Sequence, residues 1–534
     1  MRVTWLSLFS VRSPALLRHA LAAGLGALCL SGCMTWRRSA ERPAERLARQ
    51  PKMAVRVNLH DGRRMVLRDA FVRGDSLGGR EDLGAGTSQD ALVALQDVVS
   101  TEVSRLDVGR SVLMAAAIGT TAVLLVNAAN SPPGNNQPAP PPPSTSSDCG
   151  VMGCGSFSCP LVYSWEGRHW RLDSGTFGGA IVEALQRTDV DNLDYSTAHD
   201  GIVRLRVTNE LAETDHLDAL AVLAVDHDAS VSVAPDPSGR IHTIGALIPP
   251  VSAADFRGGD ALARVRDADG WNWESRLSAR DPARAADLRD GLDLVFVRPR
   301  GALRAHLVLD GNSTAWGTYM LSEFVKAHGR ATQAWYDEMN ARPAVARLLQ
   351  ARLAREAFLS AAVRTASGWA PQGTFWEAGP EVVKRQVLDL DLARVEGDTV
   401  RVRLESAPSF WTIDRVALDF SAERDVVVHE LPLVSARDRK GRDIAQLIGS
   451  IDHRYYVAPT GAAADVSFSV PPLNPGQRRS FLLRSTGWYR VNSPEEGEPD
   501  LASLAALGRD SLGVGRASVA RLNAGLLQLT ERAR

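Results

Sequence analysis

The sequence predicts a mainly β fold with helical insertions. A small N-terminal β-barrel-like unit is expected first, followed by two tandem antiparallel β-sandwich domains of jelly-roll type joined by a helical hairpin. Three observations favour this class: short runs of alternating apolar and polar residues, Gly, Pro and Asp turns between them, and an internal repeat in the second part of the chain. With 534 residues and 45% hydrophobic content, the chain is long enough to bury several cores.

The first 32 residues have the pattern of a signal peptide. Basic residues precede an uncharged run, residues 20–30, whose length is typical of an export signal and short for a membrane span. The run ends in Leu30-Ser31-Gly32-Cys33, which resembles the lipobox of bacterial lipoproteins. The resemblance covers these first residues only, and it implies cleavage before Cys33 and a covalent lipid on its thiol. An ordinary secretory signal with a chance cysteine is the alternative.

The lipobox resemblance also implies an address. Met34 follows Cys33, whereas Asp at this position retains many lipoproteins in the inner membrane. We therefore expect a lipid-anchored protein of the cell envelope, in the outer membrane and facing the periplasm or the cell surface. Residues 33–53 are polar and are expected to form a flexible tether.

Residues 54–110 alternate in short runs and predict the small β-barrel-like domain. The run Val55-Arg56-Val57, followed by a turn at Asp61-Gly62, is similar to SH3-like and Sm-like barrels, a resemblance that implies a fold and no ligand. Gly74-Asp75-Ser76-Leu77 matches the nucleophile block of GDSL hydrolases. No histidine of the chain follows an aspartate at the three-residue spacing that would activate this serine. We therefore interpret the block as a turn between strands and predict no enzymatic activity.

Residues 111–130 are predicted to form a hydrophobic helix. The uncharged part, residues 112–129, is at the lower length limit for a membrane span. A helix lying on the barrel or dipping into the membrane is favoured over a true crossing, because Cys33 already supplies an anchor. In either case this segment is expected to contact the membrane.

A linker rich in Pro, Gly and Ser follows at residues 131–156 and marks a domain boundary. Cys149 and Cys154 lie in it, and Cys159 follows closely. Three thiols cannot all pair with one another, so one local disulfide and one free thiol are expected in an oxidising compartment. A metal site is the less favoured alternative, because the spacing matches no zinc module.

Beyond the linker, blocks of sequence occur twice in the same order. Residues 203–209 recur as residues 400–406, and residues 251–260 recur as residues 434–443. We expect one sandwich for each copy, at residues 157–318 and 365–490. The pattern is weakly similar to galactose-binding-like sandwiches, without a diagnostic motif from which ligand residues could be transferred.

Helical spacing of apolar residues predicts the remaining elements. A helical connector is expected at residues 319–364, and one or two further helices are expected at residues 491–534.

Two groups of residues are candidates for binding. Oxygen ligands of the kind that calcium prefers occur at Asp189, Asp191 and Asp194, although Leu193 breaks the EF-hand pattern and solvated strand faces are the favoured interpretation. Aromatic residues that would bind a sugar or a protein partner if they formed an exposed edge are Trp271, Trp273, Phe410 and Trp411.

The formal net charge of −1 disfavours nucleic acid as a partner. A lipid anchor, a spacer and tandem sandwiches are typical of a non-enzymatic envelope module that binds or scaffolds a protein or glycan partner. The alternative is an envelope hydrolase that uses calcium. No cofactor other than the lipid on Cys33 is expected.

Overall fold

The computed structural model describes residues 34–38, 54–59, 64–73, 76–84, 87–95, 98–106, 160–275, 279–376 and 379–533. The chain divides into two compact units, residues 1–151 and 152–534, called here the N-terminal and C-terminal units. The predicted mainly β class is confirmed, since 46% of the residues lie in strands and 20% in helices. The predictions for Cys33, for the hydrophobic segment 112–129 and for Cys149, Cys154 and Cys159 lie outside the described residues.

The N-terminal unit is one antiparallel sheet with the strand order β1-β6-β2-β3-β4-β5. Its strands are β1 (Met34–Arg38), β2 (Val55–Leu59), β3 (Arg64–Arg73), β4 (Ser76–Gly84), β5 (Thr87–Ala94) and β6 (Val98–Leu106). Val57, Leu67 and Leu77 form its buried face. The sheet is open rather than a closed barrel, with β1 and β5 at its two edges. Part of the stretch expected as a tether is therefore a strand, because β1 pairs with β6.

The C-terminal unit contains both copies of the repeat. Copy 1 supplies β7 (Leu161–Trp165), β8 (Trp170–Gly175), β9 (Arg187–Asn192), β10 (Ile202–Thr208), β11 (Glu213–Asp228), β12 (Ser232–Pro235), β13 (Ile241–Ile244), β14 (Ser252–Asp255), β15 (Trp273–Glu274), β16 (Asp290–Val297) and β17 (Arg304–Ser313). Copy 2 supplies β18 (Leu359–Thr365), β19 (Gly368–Phe375), β20 (Lys384–Asp391), β21 (Thr399–Ser406), β22 (Trp411–Asp419), β23 (Val427–Glu430), β24 (Leu433–Asp438), β25 (Tyr456–Pro459), β26 (Ala463–Ser469) and β27 (Gln477–Val491).

These strands form two sandwiches, and each sandwich combines strands of both copies. Sandwich A consists of the sheets β24-β26-β10-β7-β8 and β23-β11-β27-β9, with β25 added to β11. Sandwich B consists of the sheets β14-β16-β21-β18-β19 and β15-β22-β17-β20. The expectation of one sandwich per copy, at residues 157–318 and 365–490, is therefore wrong: strands of both copies share each sandwich, and β18 begins ahead of the second range. Sandwich B is inserted between the two parts of sandwich A.

Two segments cross from one sandwich to the other. The first crossover, residues 229–251, joins β11 to β14 and carries the hairpin β12–β13. The second crossover, residues 420–426, joins β22 to β23. They lie close together, since the backbone N–H of Arg424 donates to Thr243 Oγ1 at 2.8 Å.

Equivalent residues of the two copies have equivalent structural roles. The carboxylates of Asp255 and Asp438 both accept backbone N–H bonds from the turn that follows them. Gly258 and Gly441 occupy the left-handed position of that turn, with φ of 77° and 76°. Turn chemistry at this point thus explains why the two sequences match here without a gap.

Alternation along the strands fills the two cores. In β21, Val400, Val402 and Leu404 are fully buried, while Arg401 on the opposite face is exposed. These residues pack with Leu307 and other residues of the facing sheet in one cluster. Burial of apolar surface of this kind, worth about 25 cal/mol per Å², holds the two sheets of each sandwich together.

Helices connect some of the strands and flank the sandwiches. They are α1 (Leu262–Val265), α2 (Ala315–Lys326), α3 (Thr332–Ala341), α4 (Pro343–Ala357), α5 (Ala445–Ile448), α6 (Leu501–Arg509) and α7 (Gly513–Ala533). The connector expected at residues 319–364 is three helices, α2 to α4, that end at Ala357 and join β17 to β18. Both strands belong to sandwich B, so the expectation that a helical hairpin joins the two sandwiches is wrong. Thr314 caps α2 by accepting the N–H of Gly317, and Asp500 caps α6 by accepting the N–H of Ser503. Within the described residues, no helix has the length and apolar character needed to cross a membrane.

Candidate functional site

A cavity of about 370 Å³ lies in the C-terminal unit, between α2, α4, α6, α7 and residues 179–185. It is called the helical cavity here. Its walls are mainly apolar and include Ile181, Leu321, Phe324, Leu349, Leu353 and Leu507.

The local sequence explains why apolar groups converge on this space. Leu349 and Leu353 are four residues apart on α4, and Leu321 and Phe324 are three residues apart on α2, so each pair lies on one face of its helix. The core of sandwich A or of sandwich B covers only part of these two helix faces. The part of each face that no core covers forms the cavity wall.

Two of the predicted binding aromatics, Phe410 and Trp411, contribute to the cavity from sandwich B. They are buried rather than placed on an exposed edge, with 6% and 2% exposure. The indole N–H of Trp411 donates to the carbonyl oxygen of Ala357 at 2.9 Å, which fixes the end of α4. The other two aromatics lie elsewhere: Trp273 is buried in the core of sandwich B, and Trp271 is half-buried near Arg264, whose guanidinium carbon is 5.3 Å from the ring centroid.

The C-terminal helices close the cavity and are fastened by polar contacts. The carboxylate of Glu356 accepts the backbone N–H groups of Val514 and Gly515 at 2.8 and 3.4 Å, at the start of α7. A carboxylate is favoured at a helix N-terminus by the helix dipole. Burial nevertheless raises the pKa of Glu356. The indole N–H of Trp316 donates to Ser518 Oγ at 2.9 Å.

One cationic side chain reaches the cavity wall with a free donor. Arg352 lines the cavity, and its two terminal nitrogens donate to the carbonyl oxygens of Gly508 and Asp510. Its Nε is buried and has no hydrogen-bond partner among the described residues. Glu356 Oε1 lies 3.9 Å from this nitrogen, beyond hydrogen-bond distance.

No protein-family model matches this chain, and no curated protein or solved structure resembles it. Function is therefore inferred from the chemistry of the sites themselves.

Two of the acidic residues proposed for calcium, Asp189 and Asp191, contact basic side chains, while the third, Asp194, is exposed. Asp189 lies 2.7 Å from Arg187 Nε, and although burial opposes it, Arg187 lowers the pKa of this carboxyl. Asp191 lies 3.0 Å from Lys384 Nζ, and burial raises its pKa. A calcium ion here would have to displace Arg187 and Lys384.

A second polar cluster was not anticipated from the sequence. His242 on β13, His306 on β17 and Glu423 on the second crossover bring one ligand atom each to within 4.8 Å of the others. Among the described residues, these three side chains form the one group of His, Cys, Asp or Glu residues whose possible ligand atoms lie this close together. The three positions are far apart in sequence and follow no motif spacing, so no sequence signal linked them.

Proposed function

We propose that this protein is a lipid-anchored envelope protein that binds an acyl-chain ligand in the helical cavity, without chemical turnover. The observation that carries the proposal is the mainly apolar cavity of about 370 Å³. Small-molecule sites have volumes of roughly 300–1,000 Å³ and apolar walls with a few polar groups.

The chemistry of the walls favours an acyl chain over the other ligand classes. Each methylene group transferred from water into such a space contributes about 0.8 kcal/mol. A glycan would bury hydroxyl groups, each of which needs a hydrogen-bond partner that Leu and Phe walls do not offer. We therefore propose an apolar ligand instead of the protein or glycan partner expected from the sequence.

The polar end of the ligand has a counterpart at the wall. Three arginines, Arg352, Arg516 and Arg521, lie at the otherwise apolar wall together with the acidic residues Glu323, Asp500 and Asp510. A carboxylate would accept a charge-assisted hydrogen bond from an arginine at this wall. A fatty acid, with one carboxylate and one chain, matches a mainly apolar wall that carries cationic side chains.

The proposed location comes from the signal-peptide pattern and the lipobox at Cys33. A membrane-tethered protein has access to acyl chains, which supports the same ligand class. Absence of turnover is supported by the hairpin position of Ser76, which pairs with Arg73 at the start of β4 in the N-terminal unit.

Titration with cis-parinaric acid, a fluorescent fatty acid, tests the proposal. The full chain carrying Cys33→Ser is used, so that its own lipid does not compete for the cavity. We expect saturable binding, at least tenfold weaker in Ala517→Trp, which fills the cavity from α7, and unchanged in Ala351→Trp on the exposed face of α4. Non-saturable binding, or equal affinity in the two tryptophan variants, would overturn the proposal.

A further inference from the structure

We propose that His242, His306 and Glu423 bind a divalent metal ion, with zinc as the best match, and that this ion fastens both crossovers to the outer face of sandwich B. The site lies outside the helical cavity and is independent of the proposed ligand binding. His242 belongs to the first crossover, Glu423 belongs to the second, and His306 belongs to strand β17 of sandwich B.

The two imidazole rings have matching environments. His242 places Nδ1 2.7 Å from Glu423 Oε1 and Nε2 3.3 Å from Asp236 Oδ2. His306 places Nε2 3.5 Å from the same Glu423 oxygen and Nδ1 2.9 Å from Asp389 Oδ1. Each histidine therefore directs one nitrogen towards the shared glutamate and the other towards an aspartate of its own.

This arrangement is the one that histidines adopt at metal sites. A ligating histidine donates its remaining N–H to a carboxylate, which fixes the tautomer and makes the ligating nitrogen more basic. His242 Nε2 makes such a hydrogen bond to Asp236, whereas His306 Nδ1 lies 2.9 Å from Asp389 Oδ1 without hydrogen-bond geometry. With the protons on these outer nitrogens, the inner nitrogens direct lone pairs at a carboxylate oxygen. Lone pairs that converge in this way need a cation between them.

The dimensions suit zinc. Zinc bonds to nitrogen and oxygen are about 2.0–2.1 Å long, so tetrahedral ligand atoms are about 3.3–3.4 Å apart. The observed separations of 2.7 and 3.5 Å from Glu423 Oε1 bracket that value. The three ligand atoms lie within 4.8 Å of one another, so binding requires His242 and Glu423 to move apart by about 0.6 Å and the side chains to close around the ion. Two imidazoles and one carboxylate also form a ligand set that zinc uses in proteins.

Burial differs among the three ligands. The side chain of His242 is fully buried and that of His306 is 12% exposed, whereas Glu423 is 33% exposed. Solvent therefore reaches the site from the glutamate side, which leaves a fourth coordination position to water.

Arg240 is the cation that competes for the glutamate. Its Nη2 lies 3.1 Å from Glu423 Oε1, and its side chain is 58% exposed. A flexible surface arginine can leave without a burial penalty, and its departure frees the oxygen for the metal. Arg240→Ala should consequently bind zinc at least as tightly as the parent.

Zinc binding by the full chain tests the proposal. The parent carries Cys29→Ser, Cys33→Ser, Cys149→Ser, Cys154→Ser and Cys159→Ser, because free thiols would also bind zinc. Calorimetric titration with zinc chloride and metal analysis after dialysis should show one zinc per chain. The stoichiometry should be lost in His306→Gln and unchanged in His169→Gln, which alters a histidine that is 67% exposed.

The variant Asp389→Asn retains all three metal ligands. It therefore distinguishes weaker metal binding from a folding defect. Removal of such a supporting carboxylate weakens metal binding about 10–100-fold, while the thermal unfolding temperature without metal should stay near that of the parent. A parent that retains no zinc, or zinc binding that is equal in the parent and in folded His306→Gln, would overturn the proposal. The latter result would leave the cluster as two histidines in contact with carboxylates, without a metal ion.

Discussion

Lys384 and Asp191 form a buried ion pair that joins the two sandwiches. Lys384 Nζ lies 3.0 Å from Asp191 Oδ2, and the two side chains are 8% and 5% exposed. Asp191 lies on β9 of sandwich A, and Lys384 begins β20 of sandwich B. Lys384 also donates to the carbonyl oxygen of Gly175, and Ser174 donates to Asp191. The pair thus neutralises two charges at a contact between copy 1 and copy 2.

Lys384→Met should be strongly destabilising, because it leaves the Asp191 carboxylate buried without a cation. Loss of one partner of a buried pair costs about 3–5 kcal/mol. The double variant Lys384→Met with Asp191→Asn should recover most of that free energy of unfolding, measured in urea. If the double variant is as unstable as the sum of the two single variants, the pair contributes nothing specific.

Neither copy of the repeat should fold by itself. Residues 160–341 contain β10 without β26 and β16 without β21, and residues 343–534 contain the missing strands. Each fragment expressed alone should be insoluble or lack a cooperative unfolding transition, because unpaired strand edges aggregate. Co-expressed fragments should purify as a complex. Cooperative unfolding of residues 160–341 alone would contradict the strand exchange.

Asp173 should make stability depend on pH. Burial raises its pKa to about 7, above the value of the unfolded chain, so the folded state holds the proton more tightly. Its contribution to stability is greatest at low pH and is lost as pH rises through about 7. Asp173→Asn should therefore gain thermal stability relative to wild type between pH 5 and pH 8. An unfolding-temperature difference that stays constant over this range would show that Asp173 does not titrate there.

Cys33 should determine membrane attachment. Wild-type protein should label with palmitate and sediment with membranes, whereas Cys33→Ser should do neither. Fractionation and labelling of the two proteins in the same cells provide the measurement. Equal labelling of both would contradict lipidation at this position.

Some features could be predicted because they depend on local sequence. The alternation of apolar and charged residues in β21 indicates which of them are buried, and the matched blocks 251–260 and 434–443 share one turn, at Asp255 and Asp438. Asp218 and Asp414 both accept backbone N–H bonds from the loop before a short strand, β25 or β15. Features that depend on local hydrogen bonding and on side-chain periodicity could therefore be predicted from the sequence.

Features that depend on the choice of distant partners could not be predicted. Leu205 on β10 fits the alternating pattern regardless of which copy supplies the neighbouring strand. In the structure, Leu205 pairs with Val466 of copy 2. The helical cavity combines residues of four helices with Phe410 and Trp411, which periodicity identifies only as apolar. His242, His306 and Glu423 meet only because both crossovers lie against β17.

The most direct test of ligand binding is native mass spectrometry of the Cys33→Ser protein after incubation with oleic acid. We expect a species with one bound fatty acid that is abundant in the parent and in Ala351→Trp, and strongly reduced in Ala517→Trp. Absence of the bound species in the parent, or equal amounts in the two tryptophan variants, would contradict binding in the helical cavity.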